Sequence, residues 1–206
     1  MHITRILTVS GLTLGLGLLG NMPVSAEGSY LGLGWGRTGM DDESAALDTA
    51  FAADGYTTST SMDDSDGGLK LYGGHLFNDN WGLEVGYLDF GTFTLNGTES
   101  STPFTYTGDV DANAWYLAGV LRVPFGTGFA FNAKAGFARW KLDAAISATV
   151  LDTTFRGQLD DSGTSAILGL GGAFDVTDAL AIRVDYDRVA ADENLDMISL
   201  SVQLRF

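Results

Sequence analysis

The 206-residue chain contains no cysteine and only three prolines. Neither a disulfide framework nor a thiolate metal site can be built from it. Basic residues are scarce: eleven Lys and Arg stand against twenty-six Asp and Glu, the net charge is −15, and the pI is near 4.1. That balance excludes nucleic acid as a partner. Histidine occurs twice, at His2 and His75, which leaves little material for histidine-based catalysis. Long hydrophobic runs are missing too, apart from Ile6–Leu19. That run follows His2 and Arg5 and precedes Pro23 and Val24-Ser25-Ala26. A basic start, an apolar stretch and a small-residue site predict a secretory signal peptide over residues 1–26. The run is short of the ~20 residues a membrane helix needs, and glycines dilute it. The remaining 27–206 suffices for one domain. Without a later apolar run, that domain is either soluble or a barrel whose strands alternate.

Alternation is what the sequence has in abundance. "ISLSVQLRF", Ile198 to Phe206, places Ile198, Leu200, Val202, Leu204 and Phe206 on one side and Ser199, Ser201, Gln203 and Arg205 on the other. Period two over nine residues predicts a β-strand with one apolar face. Seven further alternating stretches start at Leu31, Leu69, Leu83, Trp115, Phe129, Ser165 and Leu180, giving eight strands. Three connections are tight turns, at Asn78–Asn80, Gly126–Gly128 and Thr177–Ala179. The others span 38–67, 96–111, 143–161 and a short stretch at 191–196, and they are predicted to be loops. Short and long connections alternating in this way fit an up-and-down meander whose two ends meet different environments.

Opposite the apolar residues stand Lys70, Glu84, Arg122, Lys134, Arg183, Asp185, Asp187 and Arg205, interleaved with Gly, Ser and Ala. These charges either face solvent around a core or fill a lumen while the apolar set faces lipid. Small neighbours favour the lumen, because eight strands leave room only for interdigitated side chains. Five cations against three carboxylates would nearly neutralise one another there. Trp35, Trp81, Tyr87, Trp115, Phe129, Tyr186 and Phe206 lie near strand ends, where a membrane barrel carries its aromatic girdles.

The ending "SLSVQLRF" is similar to the last strand of bacterial outer-membrane barrels. "YGGHLFNDNWGLEVGYLDFG" resembles the second hairpin of OmpA-like transmembrane domains. "LRVPFGTGFAFNAKAGFARW" resembles their fourth and fifth strands, and "GGAFDVTDALAIRVDYDRV" their sixth and seventh. The resemblance covers residues 27–206. It implies an all-β, eight-stranded antiparallel up-and-down transmembrane β-barrel in the cell outer membrane. Outer-membrane lipid, lipopolysaccharide and the barrel assembly machinery are the implied partners, with Phe206 as the assembly signal, and the barrel is expected to be monomeric. It also implies a lumen ion-pair network on Glu84, Lys134 and Arg183. The family's lysine in the fourth strand falls on Val120, however, and its glutamate in the sixth falls on Ala173. Arg122 and Asp185 offer replacement partners, and Asp187, Arg205 and Lys70 complete the set. No peptidoglycan-binding segment follows the barrel, so cell-wall anchoring is not expected.

No catalytic constellation stands out. His75 shares parity with Leu69 and Leu71, which places it on the lipid side near the short turns. "LGLGWG" and "LGLGG" lack a phosphate-loop lysine and precede no helix. "DDSDGG" misses the EF-hand register, with Met62 at position one and Gly73 where the glutamate belongs, leaving only loose divalent-ion binding. No cofactor or metal is expected. Eighteen of the twenty-six acidic residues fall in these four connections, 38–67, 96–111, 143–161 and 191–196, a rim that repels polyanions and attracts cations. The expected function is a non-enzymatic outer-membrane barrel with a structural or surface-interaction role. The alternative is a small ion or solute pore; a lipid A-modifying enzyme or a soluble periplasmic binding barrel ranks below both.

Overall fold

The computed structural model describes residues 28–40, 44–53, 58–63, 66–99, 104–150, 153–191 and 193–206; the expected signal peptide lies outside them. Nine strands and one helix follow in order: β1 (Gly28–Met40), α1 (Ser44–Ala53), β2 (Thr58–Asp63), β3 (Gly67–Leu76), β4 (Trp81–Glu99), β5 (Phe104–Phe125), β6 (Phe129–Val150), β7 (Thr153–Asp175), β8 (Leu180–Val189) and β9 (Leu195–Arg205). All pairings are antiparallel, and the sheet runs β2-β4-β3-β1-β9-β8-β7-β6-β5. A further β4–β5 pairing closes the ring. Eight strands form the barrel. β2 is a ninth, added to the edge of β4 at Thr94–Glu99, beyond the point where β3 stops pairing at Asp89. Closure leaves no unpaired edge among the eight, which a lipid environment requires.

The tight turns are set by local chemistry. Asn78 Oδ1 accepts the backbone N–H groups of Asn80 (2.9 Å) and Trp81 (2.8 Å), folding the β3–β4 connection on itself. Between β5 and β6, Gly126 and Gly128 take φ of 61° and 80°, conformations that disfavour a side chain.

Around the barrel Leu31, Leu33, Leu71, Leu83, Leu117, Leu168, Leu170 and Leu200 all point outward and are exposed. Aromatic residues bound this apolar wall. Near the turns stand Phe77, Trp81, Phe125, Phe129 and Phe174; towards the other end stand Trp35, Tyr87, Trp115 and Tyr186. Ten residues of β5 separate Phe125 from Trp115, about 34 Å of strand. At a tilt of about 40° that is roughly 26 Å of height, which matches a membrane's apolar band.

The long connections differ from expectation. Segments 96–111 and 143–161 are mostly strand, because β4 to β7 run far past the upper aromatic girdle. Segment 38–67 holds α1 and β2 instead of being loop throughout. Above the girdle the polarity of the wall reverses. On β6, Phe131 and Phe137 point outward below it; Arg139, Lys141 and Asp143 do so above it, while Trp140 and Leu142 turn inward. β4 makes its own switch through a bulge between Asp89 and Gly91, where Gly91 has φ 79°. The extra residue lets both Phe90 and Phe93 face inward.

Candidate functional site in the barrel interior

Six charged side chains meet at mid-barrel, all nearly inaccessible to solvent. Glu84 on β4 is the hub. Its Oε1 accepts from Tyr116 OH (2.8 Å) and Lys134 Nζ (3.3 Å). Its Oε2 accepts from Tyr30 OH and Arg183 NH1, each at 3.0 Å. Arg183 NH2 continues to Asp185 Oδ1 at 3.0 Å. Lys70 Nζ joins Asp185 (2.9 Å) to Asp187 (2.7 Å). Lys134 Nζ closes the circuit 2.8 Å from Asp187 Oδ1, a charge contact outside hydrogen-bond alignment. Three cations face three carboxylates, so the group is neutral as a unit. Lys134 also stands 4.2 Å from the centroid of the Tyr116 ring, and Arg183 4.8 Å from that of Tyr72.

The interleaved glycines make this packing possible. Gly32, Gly74 and Gly86 sit directly opposite Tyr72, Tyr30 and Tyr116 on neighbouring strands. A β-carbon on Gly32 would lie 2.1 Å from the Tyr72 ring, and one on Gly74 2.3 Å from the Tyr30 ring. The rings therefore lie across bare backbone, and two of them bring their hydroxyls to Glu84.

Arg122 and Arg205 do not join the central six. They converge near the turns on Asp175, at 3.0 and 2.5 Å. Asp175 is absent from the residues singled out by sequence, although its odd parity with Gly169 and Gly171 places it on the same inner face. Val120 and Ala173, where the family resemblance fails, face inward beside this layer. At the opposite end the interior is apolar. Leu88, Phe90, Phe93, Trp140, Ile167, Leu195 and Met197 form one buried cluster across the outer mouth, a layer that reading for an all-polar lumen missed.

His75 points outward near the turns, with Nδ1 3.2 Å from Ser29 Oγ and its ring edge-on to Phe77 at 5.5 Å. No carboxylate completes this pair among the described residues. Asp66, from the acidic "DDSDGG", uses its carboxylate on backbone N–H groups of Gly67 (2.7 Å) and Thr92 (2.8 Å).

An apolar wall of membrane height, aromatic girdles and a charged filling define a transmembrane β-barrel of the outer membrane. The profile of the OmpA-like transmembrane domain matches residues 24–202, and the chain belongs to that family. Among solved structures it is similar to Ail, the attachment invasion locus protein of Yersinia pestis, at 18% identity and a TM-score of 0.54, over 87% of this chain and 99% of that one. A second Ail structure, in complex with the heparin analogue sucrose octasulfate, matches at 16% identity, a TM-score of 0.54 and the same coverage. The outer membrane protein OprG of Pseudomonas aeruginosa matches at 13% identity and a TM-score of 0.52, over 87% and 97% of the two chains. At these identities the likeness is one of fold. No curated protein sequence matches the chain.

Proposed function

We propose that the protein is a closed, non-enzymatic outer-membrane barrel whose working surface is its external wall. The observation that carries this reading is the double closure of the lumen. A neutral ion-pair layer spans mid-barrel, and an apolar cluster covers the outer mouth above it. Neither layer offers a continuous path for hydrated ions, which works against the pore alternative. Among the described residues the Ser29–His75 contact has no third group to orient the imidazole, and we read it as a rim hydrogen bond.

The external wall is large. From Asn113 to Phe104, β5 runs nine residues past the girdle region, about 31 Å of strand. Its outer face carries Asp109 and Asp111, and β6 and β7 add Asp143 and Asp160 in register with Asp111. On the inner face Phe155 and Leu159 are more than 60% exposed. This chemistry suits a cationic or neutral partner with an apolar contact, not a sulfated polyanion of the kind bound to Ail. Contact with outer-membrane lipid and lipopolysaccharide, delivery by the assembly machinery through Phe206, and a monomeric state belong to the same reading.

Planar-bilayer recording tests it. The full barrel should give small, intermittent conductance, altered in open fraction by Glu84→Gln. A large, steady conductance of the wild-type chain would replace this reading with a pore.

A further inference from the structure

The turn-side layer of the lumen carries more positive charge than its carboxylates neutralise. Among the described residues, the central six charges balance among themselves, whereas Arg122 and Arg205 both pair with Asp175. Asp79, the other carboxylate acting on Arg122, sits on the exposed β3–β4 turn. Between these guanidiniums and the central network lies a small pocket lined by Tyr30, Arg122, Asn132, Arg183, Gln203 and Arg205. It has room for one group of about the size of a water molecule.

Two residues of the lining each carry a side-chain donor without a hydrogen-bond partner among the described residues. Asn132, only 5% exposed, leaves Nδ2 unbonded, and the buried Arg183 leaves Nε unbonded. The neighbouring groups supply no remedy. Ala173, directly opposite Arg183 on β7, has no acceptor, and Gln203 Oε1 already accepts from Arg183 NH1 at 3.0 Å. Buried donors without acceptors and a half-buried cation in excess are both unfavourable. One small anion would relieve both at once, while sulfate or phosphate would exceed that space.

We propose that this pocket binds a single halide-class anion, held by Asn132 Nδ2 and Arg183 Nε in the field of Arg122 and Arg205. The site is independent of what the external wall meets. It stabilises the folded barrel by mass action, since the unfolded chain does not assemble these donors.

The full chain, refolded in detergent micelles, provides the test. At fixed ionic strength, replacing sodium isethionate by sodium chloride or bromide should raise Tm saturably, by about 2–4 °C. Crystals grown from bromide should show an anomalous peak beside Asn132 and Arg183. Asn132→Asp places a fixed negative charge in the pocket and should abolish the halide dependence, raising Tm in isethionate to the wild-type chloride value. Equal Tm in all three salts, or crystals with water and no anomalous peak in the pocket, would overturn the proposal. The bromide experiment uses the wild-type chain, so it decides the matter even if the variant does not fold.

Discussion

Gly86 and Tyr116 face each other across β4 and β5, and a β-carbon on Gly86 would lie 2.5 Å from the tyrosine ring. The pair is one unit: the missing side chain on one strand is the space the other strand's ring needs to bring its hydroxyl 2.8 Å from Glu84. Gly86→Ala should therefore destabilise the barrel by about 1–3 kcal/mol, the usual cost of overpacking. In a Tyr116→Ala background the same change should cost much less. Additive losses in a urea-denaturation cycle would mean that the ring and the glycine act independently.

Glu84 and Arg183 give a second cycle. Glu84→Gln alone leaves a buried cation without its partner, and losses of about 3–5 kcal/mol are usual for such breaks. Combined with Arg183→Met, the change should show coupling above about 1 kcal/mol, although Asp185 then loses one of its two cations.

Depth should govern the cost of a charge on the wall. Leu170→Arg places a guanidinium on the lipid-facing side, at an expected cost of about 2–4 kcal/mol for a site near the membrane midplane. Phe155→Arg, on the external part of the same strand, should fold into vesicles almost as well as wild type. Equal losses at both positions would misplace the membrane boundary on β7.

The external helix should loosen in acid. Hydrogen bonds from the hydroxyls of Thr60 and Thr58, with the Thr60 backbone N–H, hold the Asp48 carboxyl below its usual pKa of 3.8. A depressed carboxylate pKa contributes stability above the unfolded value and loses it as pH falls through the folded one. Amide protection in Ser44–Ala53, corrected for intrinsic exchange, should thus be unchanged from neutral pH down to the ordinary aspartate range and fall below it. Asp48→Asn should remove that pH dependence.

The sequence was legible where lipid imposed a rule. Below the girdle every second residue must be apolar and outward, so β3, β8 and β9 emerge with nearly their observed lengths, and β1 with about half of its own. The long connections were misread because water imposes the opposite rule. On β6 the alternation continues from Phe137 into Ile146, but its apolar residues change sides once the strand leaves the membrane. On β4 the bulge at Gly91 shifts the parity as well. Parity alone also could not separate Arg122 and Arg205 from the central network. Their partner Asp175 sits at a strand end, and the distance between the two layers is a property of barrel stagger rather than of sequence spacing.

The apolar cluster at the outer mouth gives the interior a sidedness. A proton or reagent arriving from the cell exterior meets Phe90, Phe93, Trp140 and Met197, which offer no hydrogen-bonded relay. One arriving from the periplasmic turns meets the part-buried guanidiniums of Arg122 and Arg205 first. The interior thus presents two different chemistries to its two ends, apolar toward the loops and charged toward the turns.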